Sequence, residues 1–336
     1  MKRKTISLLI LFFAFWAFLP TKDLLAAPYY KGKTITMNCG SEVGGGHDFM
    51  ARLIARRMSE HIPGKPTIVV KNMPGAIGVI ALNYIYNIAK PDGLTIGIFN
   101  RGMAFGQLQK AQGIKFDLTK FLWLGSAAVE ATVFTIRSNF PYKTFADLKN
   151  AKEPINVGCT GTTGVDYALL MLLEAFTDVK FRIVMYPSGS AAMLAMERGE
   201  VDARAGSYNS LRPYIQRGLA RPVLRGNAYE PEIKGLPVDE DIVTDKKGKT
   251  FLAMRSMPDQ FGRPFVAPPG TPANQMKILR EAFAATVTDP QTIKDAEKTN
   301  ISLQYISADK SLGILNTLLN QPANIINEFN KYVKFN

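Results

Sequence analysis

The chain is poor in the residues that chemistry uses most. Its 336 residues include only two cysteines, Cys39 and Cys159, and two histidines, His47 and His61. Two distant cysteines make no disulfide framework, and with one nearby histidine they offer no zinc-type ligand spacing. The glycine run Gly44-Gly45-Gly46 lacks the G-x-G-x-x-G spacing of a dinucleotide fingerprint, and no complete P-loop pattern occurs. These absences argue against a resident metal or nucleotide. A long apolar run is missing too. The stretch Leu8 to Leu19 is roughly 12 residues, short of the ~20 that span a bilayer.

That short run has an address built around it. Lys2, Arg3 and Lys4 precede it, Pro20 breaks it, and Leu24-Leu25-Ala26-Ala27 follows, the layout of a secretory signal peptide. Cleavage is expected after Ala26, since cutting after Ala27 would put Pro28 at the scissile bond; an uncleaved signal anchor is the alternative. No cysteine lies near the cut, so no lipoprotein anchor is expected. The mature chain reads as periplasmic or extracytoplasmic.

Hydrophobic residues make up 46% and charged residues 21%, an ordinary globular balance. Lys and Arg exceed Asp and Glu by 13. The signal segment holds four of the cations against Asp23, so the mature charge falls from +13 to +10. Export and the scatter of the basic residues argue against nucleic acid as a partner. A positive field suits capture of anions or an anionic membrane surface; solubility alone is the plain alternative.

Strand and helix patterns alternate along the chain. Thr34–Cys39, Thr67–Val70 and Leu94–Phe99 read as strands separated by helices, the mark of a parallel sheet with crossovers. The first helix carries Phe49, Met50, Leu53, Ile54 and Met58 on one stripe. The pattern restarts with strands at Val129–Ile136, Ile155–Cys159, Arg182–Tyr186 and Val201–Ala205. Residues 221–249 read as loops with one short helix, and Phe265–Ala267 as a strand returning to the first lobe. Thr144, Thr271 and Asp289 are expected helix N-caps. The expected fold is α/β with two lobes, each a mixed sheet flanked by helices. The divisions are 1–26 (signal peptide), 27–125 (first part of lobe 1), 126–249 (lobe 2) and 250–336 (return to lobe 1 and C-terminal helices).

One device occurs twice. Cys39 ends a strand that leads through a glycine-rich turn into a helix, and Cys159 does the same. Each copy presents a helix N-terminus whose free N–H groups and dipole favour anions. The candidate ligand-binding residues are Ser41, Gly44, Gly45, Gly46, His47 and Asp48 in the first copy, and Thr160, Gly161, Thr162, Thr163 and Asp166 in the second. Asn100 and Arg101 end the third strand and join them. Tyr186 and Tyr208 are read either as pocket or as core. Cys39, His47 and Asp48 could be imagined as a catalytic set, but His47 and Asp48 fit better as the start of a helix, and no enzyme is expected. A Cys39–Cys159 disulfide would lock the cleft, so buried thiols are expected.

Six segments carry a resemblance. Gly44-Gly45-Gly46-His47-Asp48 with Ala51-Arg52 resembles the P-G-G-G-T-D-x-x-A-R motif of tripartite tricarboxylate transporter substrate-binding proteins, the Bug family. Val69–Ala76 resembles its V-V-E-N-R-P-G-A, Lys90–Thr95 its A-P-D-G-Y-T and Lys143–Leu148 its K-T-F-A-D-L. Gly199–Asp202 resembles its G-Q-V-D, and Ala267–Pro272 its A-P-A-G-T-P. The resemblance implies a small organic acid held between the two turns, passed to membrane permease subunits of a tripartite tricarboxylate-type transporter. It implies a two-lobed, type II-like periplasmic binding protein fold and no cofactor; hinge closure of the lobes and a monomer are expected. The family's second turn reads G-S-P-G-V-G-T-P-S-H, whereas Gly164 and Tyr167 stand here at its threonine and histidine. Glu42 and Asp166 would repel a second carboxylate or accept from a ligand amine or hydroxyl. A periplasmic sensor subunit for a membrane signalling system is the alternative function.

Overall fold

The computed structural model describes residues 27–334 apart from Thr163 and Tyr229. The signal peptide at 1–26 and the candidate residue Thr163 lie outside the described residues. Two sheets organise the remainder. In the first, β1 (Thr34–Cys39) lies between β2 (Thr67–Asn72) and β3 (Thr95–Ile98) and runs parallel to both. The crossovers are α1 (Gly46–Met58) and α2 (Val79–Asn87), and α3 (Met103–Leu108) follows β3. Strand β4 (Leu122–Ser126), the returning β10 (Pro264–Ala267) and the short β11 (Ile306–Ser307) complete the order β11-β4-β10-β3-β1-β2, with β10 antiparallel to β3 and β4.

The second sheet has the order β7-β6-β8-β5-β9. Here β6 (Ile155–Cys159) is parallel to β7 (Phe181–Met185) and β8 (Ala203–Ser207), while β5 (Thr132–Arg137) is antiparallel to β8 and β9 (Ala220–Arg225). Helices α4 (Val165–Phe176), α5 (Gly189–Glu197) and α6 (Tyr208–Gln216) follow β6, β7 and β8. Both sheets are mixed and flanked by helices, as expected. The chain passes between them twice, at residues 127–131 and again through residues 257–263.

Local chemistry explains most boundaries. In α1, Met50, Leu53, Ile54 and Met58 are buried, Asp48 sits in the first turn, and Arg56 and Arg57 sit in the last, matching the helix dipole. Phe49 departs from the apolar stripe that periodicity assigned it: it is 53% exposed and faces the cavity described below. Asp289 caps α9 (Pro290–Glu297) by accepting from the Thr292 N–H, with Pro290 at the first position. Thr144 and Asp147 bond reciprocally in a capping box, although the turn they start, Ala146–Asn150, is a 3-10 helix.

Two expectations need correction. Thr271 is not an N-cap: α8 (Ala273–Thr288) begins behind Pro272, because the Thr271 hydroxyl donates instead to the Pro268 carbonyl at 2.9 Å. The stretch read as loops from 221 to 249 contains most of β9, which Pro222 disguised. Proline is tolerated there because β9 is an edge strand. After it, α7 (Lys246–Ser256) leads back toward the first sheet, and α10 (Ala308–Leu319) and α11 (Ala323–Tyr332) end the chain. Phe329 of α11 stacks on Phe105 of α3 and meets Phe251 of α7 edge-on, both at 5.7 Å. Tyr332 reaches Phe176 of α4 at 4.9 Å. The last helix thus packs against helices of both sheets.

Candidate functional site

At the carboxyl ends of β1, β3, β6 and β8, the two sheets enclose a cavity of about 900 Å³, where ligands of open α/β sheets bind. Its walls include Ser41, Gly44, Gly45, Gly46 and His47 from the first turn and Asn100 and Arg101 after β3. Thr160 and Asp166 come from the second turn. The structure therefore brings the two copies of the strand–turn–helix device face to face.

The N-caps of α1 and α4 are Gly45 and Gly164, and neither helix start has a side-chain cap. Among the described residues no side chain caps their first-turn N–H groups, which are open to a ligand or water. The halves also touch. A Cβ on Gly46 would lie 2.9 Å from the Ser210 hydroxyl of α6, and one on Gly161 would fall 2.1 Å from Ile77. Arg263, just before β10, reaches Ser207 at 3.3 Å across the same gap.

Several candidate residues turn out to serve the scaffold. Asp48 does not line the cavity; its carboxylate accepts from the Gly44 N–H, Arg52 and Asn72, all at 2.9–3.0 Å. Burial pushes its carboxyl up, but those hydrogen bonds outweigh it and hold the pKa below the usual carboxylate range. Tyr208 is packed in a core with Met193, Met196 and Leu211 rather than in the cavity wall. Asn100 spends its side-chain oxygen on the Gly102 N–H. Gly161 and Thr162 are outside the wall, with Gly161 at its rim against Ile77.

Arg101 lines the cavity, yet its charge is answered. Its Nε donates to Asp259 at 2.7 Å and its Nη2 to Thr132 at 3.1 Å. Asp259 also takes Arg255, which is paired with Asp239. Arg263 is likewise paired with Glu130 at 2.6 Å. His47 stays neutral: burial, then the nearby Arg263 and Arg101 charges, lower its pKa well below the ordinary value. The thiols are inert. Cys39 and Cys159 are free and buried. Burial raises both pKa values, helped at Cys159 by the Asp166 charge, so neither is a nucleophile at neutral pH.

Sequence reasoning missed Arg204. It sits within β8 with its head at the cavity, 6% exposed. The signal available was a single cation inside an otherwise small and apolar strand, Ala203-Arg204-Ala205-Gly206. Ser207, Ser210 and Arg263 were missed as well, because nothing local marks residues that meet only when the sheets pack.

Two mixed α/β halves around one cleft are the architecture of two-domain periplasmic binding proteins. A solved periplasmic transporter structure superposes with a TM-score of 0.74 at 23% identity, covering 91% of this chain and all of the other. MatC from Rhodopseudomonas palustris, solved with malate, gives 0.70 at 20% identity, with 90% and 99% covered. A family model described as the tripartite tricarboxylate transporter family receptor matches residues 50–331. The chain belongs to that family. Among curated relatives, a UPF0065 protein of Agrobacterium vitis is 26% identical over 274 residues, 79% of this chain and 74% of its own. The family is one of periplasmic solute-binding receptors, and among the described residues no helix is long and apolar enough to cross a membrane.

Proposed function

We propose that the protein captures a small carboxylate by closing two lobes over it and delivers it to the permease of a tripartite tricarboxylate-type transporter. The observation that carries this is the meeting of two uncapped, glycine-started helices, α1 and α4, on one cavity. Each offers backbone donors and a positive dipole end to the same anion. The malate-bound MatC and an adipate-bound R. palustris protein of the same fold support the acid class. On this reading residues 27–125 and 250–336 form one lobe and 126–249 the other, and the ligand is held by the candidate residues that line the wall. Export removes residues 1–26, which the intact mass of the secreted protein reports.

A thermal-shift panel of mono-, di- and tricarboxylates and amino acids tests the reading. At least one acid should raise the melting temperature by several degrees. Micromolar binding corresponds to about −8 kcal/mol, within reach of a few charge-assisted hydrogen bonds and expelled water. A panel in which nothing shifts melting would remove the carboxylate from the proposal.

A further inference from the structure

We infer that Arg204 is a specificity-determining ligand residue, anchoring an acidic group in the half of the cavity formed by the second sheet. This deepens the carboxylate reading and rests on it for the ligand class. Arg101, Arg204, Arg255 and Arg263 are all buried. Three of them hold carboxylates: Arg101 holds Asp259, Arg255 holds Asp239 and Asp259, and Arg263 holds Glu130. Arg204 makes no ion pair among the described residues, and its buried Nε has no hydrogen-bond partner. Burial accordingly lowers its pKa, with Asp166 the leading charge that opposes the shift.

An unanswered guanidinium inside a protein is costly, and a fold that needed only bulk there would use methionine or leucine. The surroundings are shaped for something besides packing. Arg204 stands opposite Gly158 on β6. A Cβ on Gly189 would fall 2.3 Å from Nη2, and one on Gly206 3.6 Å from it. The absence of a side chain at Gly189 thus leaves room for the guanidinium, which lies near the end of β8, where Gly206 and Ser207 line the cavity. The head arrives at the start of α5, whose cap Ser188 accepts from the Ala191 N–H at 3.1 Å. Ser188, Gly189 and Ser190 are also cavity wall, so the earlier N–H groups of α5 and the guanidinium converge on one place.

That combination fits a carboxylate, whose two oxygens match the guanidinium fork. Asp166, beside it in the wall, sustains the positive charge on Arg204 and repels a second acidic group from the same spot. The subsite therefore takes one acidic end of the ligand, and the primary amide of that end is rejected.

Two measurements on the full mature protein test this, comparing wild type with Arg204→Met and Arg204→Lys. The first is ligand-free melting. Relieving an unanswered charge should leave Arg204→Met as stable as wild type or several degrees more stable. Melting well below wild type would make Arg204 a structural residue and overturn the inference. The second is calorimetric affinity for malate, adipate and adipic acid monoamide. For whichever acid binds wild type, affinity should fall at least 100-fold in Arg204→Met and be partly restored in Arg204→Lys, and the monoamide should lose most of the diacid's affinity on wild type alone. Affinity within threefold of wild type in Arg204→Met overturns the inference while leaving the carboxylate receptor intact. If no acid of the full thermal-shift panel binds wild type, the broader reading fails, and ligand-free melting still decides whether Arg204 is structural.

Discussion

Asp48 and Asp166 occupy nearly the same place in two copies of one device, and the structure gives them different work. Each lies in the first turn of a helix started by glycine. Asp48 is saturated by Gly44, Arg52 and Asn72, whereas among the described residues Asp166 accepts from the Thr160 hydroxyl at 3.4 Å and the Cys159 thiol at 3.6 Å. Asp48→Asn should therefore cost about 2 kcal/mol of stability, the scale of hydrogen bonds to a buried charged group, with affinity unchanged. Asp166→Asn should cost far less stability and change affinity. Urea unfolding and calorimetry on both variants check the contrast; equal stability losses would contradict it. Because the Asp48 carboxyl is held below its unfolded value, its contribution is complete at neutral pH and is lost as pH falls through the acid range. None of this division was legible in the sequence, since both aspartates present the same local pattern and only tertiary neighbours separate them.

The elements themselves were readable wherever pattern and capping agreed. The βαβ alternation, the Asp289-Pro290 helix start and the two glycine turns follow from spacing and turn chemistry alone. The misses have physical causes. Pro222 hid β9, since an edge strand tolerates proline and periodicity does not reveal an edge. Phe49 matched the apolar stripe but faces the cleft, because a helix at a ligand site has two neighbours, the core and the cavity. Arg204 reads as an oddity in a strand until β6, α5 and the cavity are assembled around it. At this scale the account makes a steric prediction. Gly46 approaches Ser210 and Arg263 so closely that an added Cβ would lie 2.9 and 3.1 Å from them. Gly46→Val should hold the halves apart and weaken ligand binding at least tenfold, while far-ultraviolet circular dichroism stays that of wild type. Undiminished affinity would show that the contact is not needed.

For the whole molecule, the notable feature is how the two sheets are joined. The Arg255, Asp239, Asp259 and Arg101 cluster is buried beside the crossing segments, with only Arg101 reaching the cavity. The α11 helix packs on partners from both halves. Such a joint restricts the ways the halves can move, which suits a hinge more than free tumbling. Under the proposed closure, the close approaches of Gly46 to Ser210 and Gly161 to Ile77 and the Arg263–Ser207 hydrogen bond would mark its closed end. Small-angle scattering of the mature protein, with and without the acid that most raises its melting temperature, is the most direct measurement. A smaller radius of gyration is expected with the acid, with a profile matching the arrangement in which the two sheets enclose the cavity. An identical profile at saturating acid would contradict closure of the two halves over the ligand.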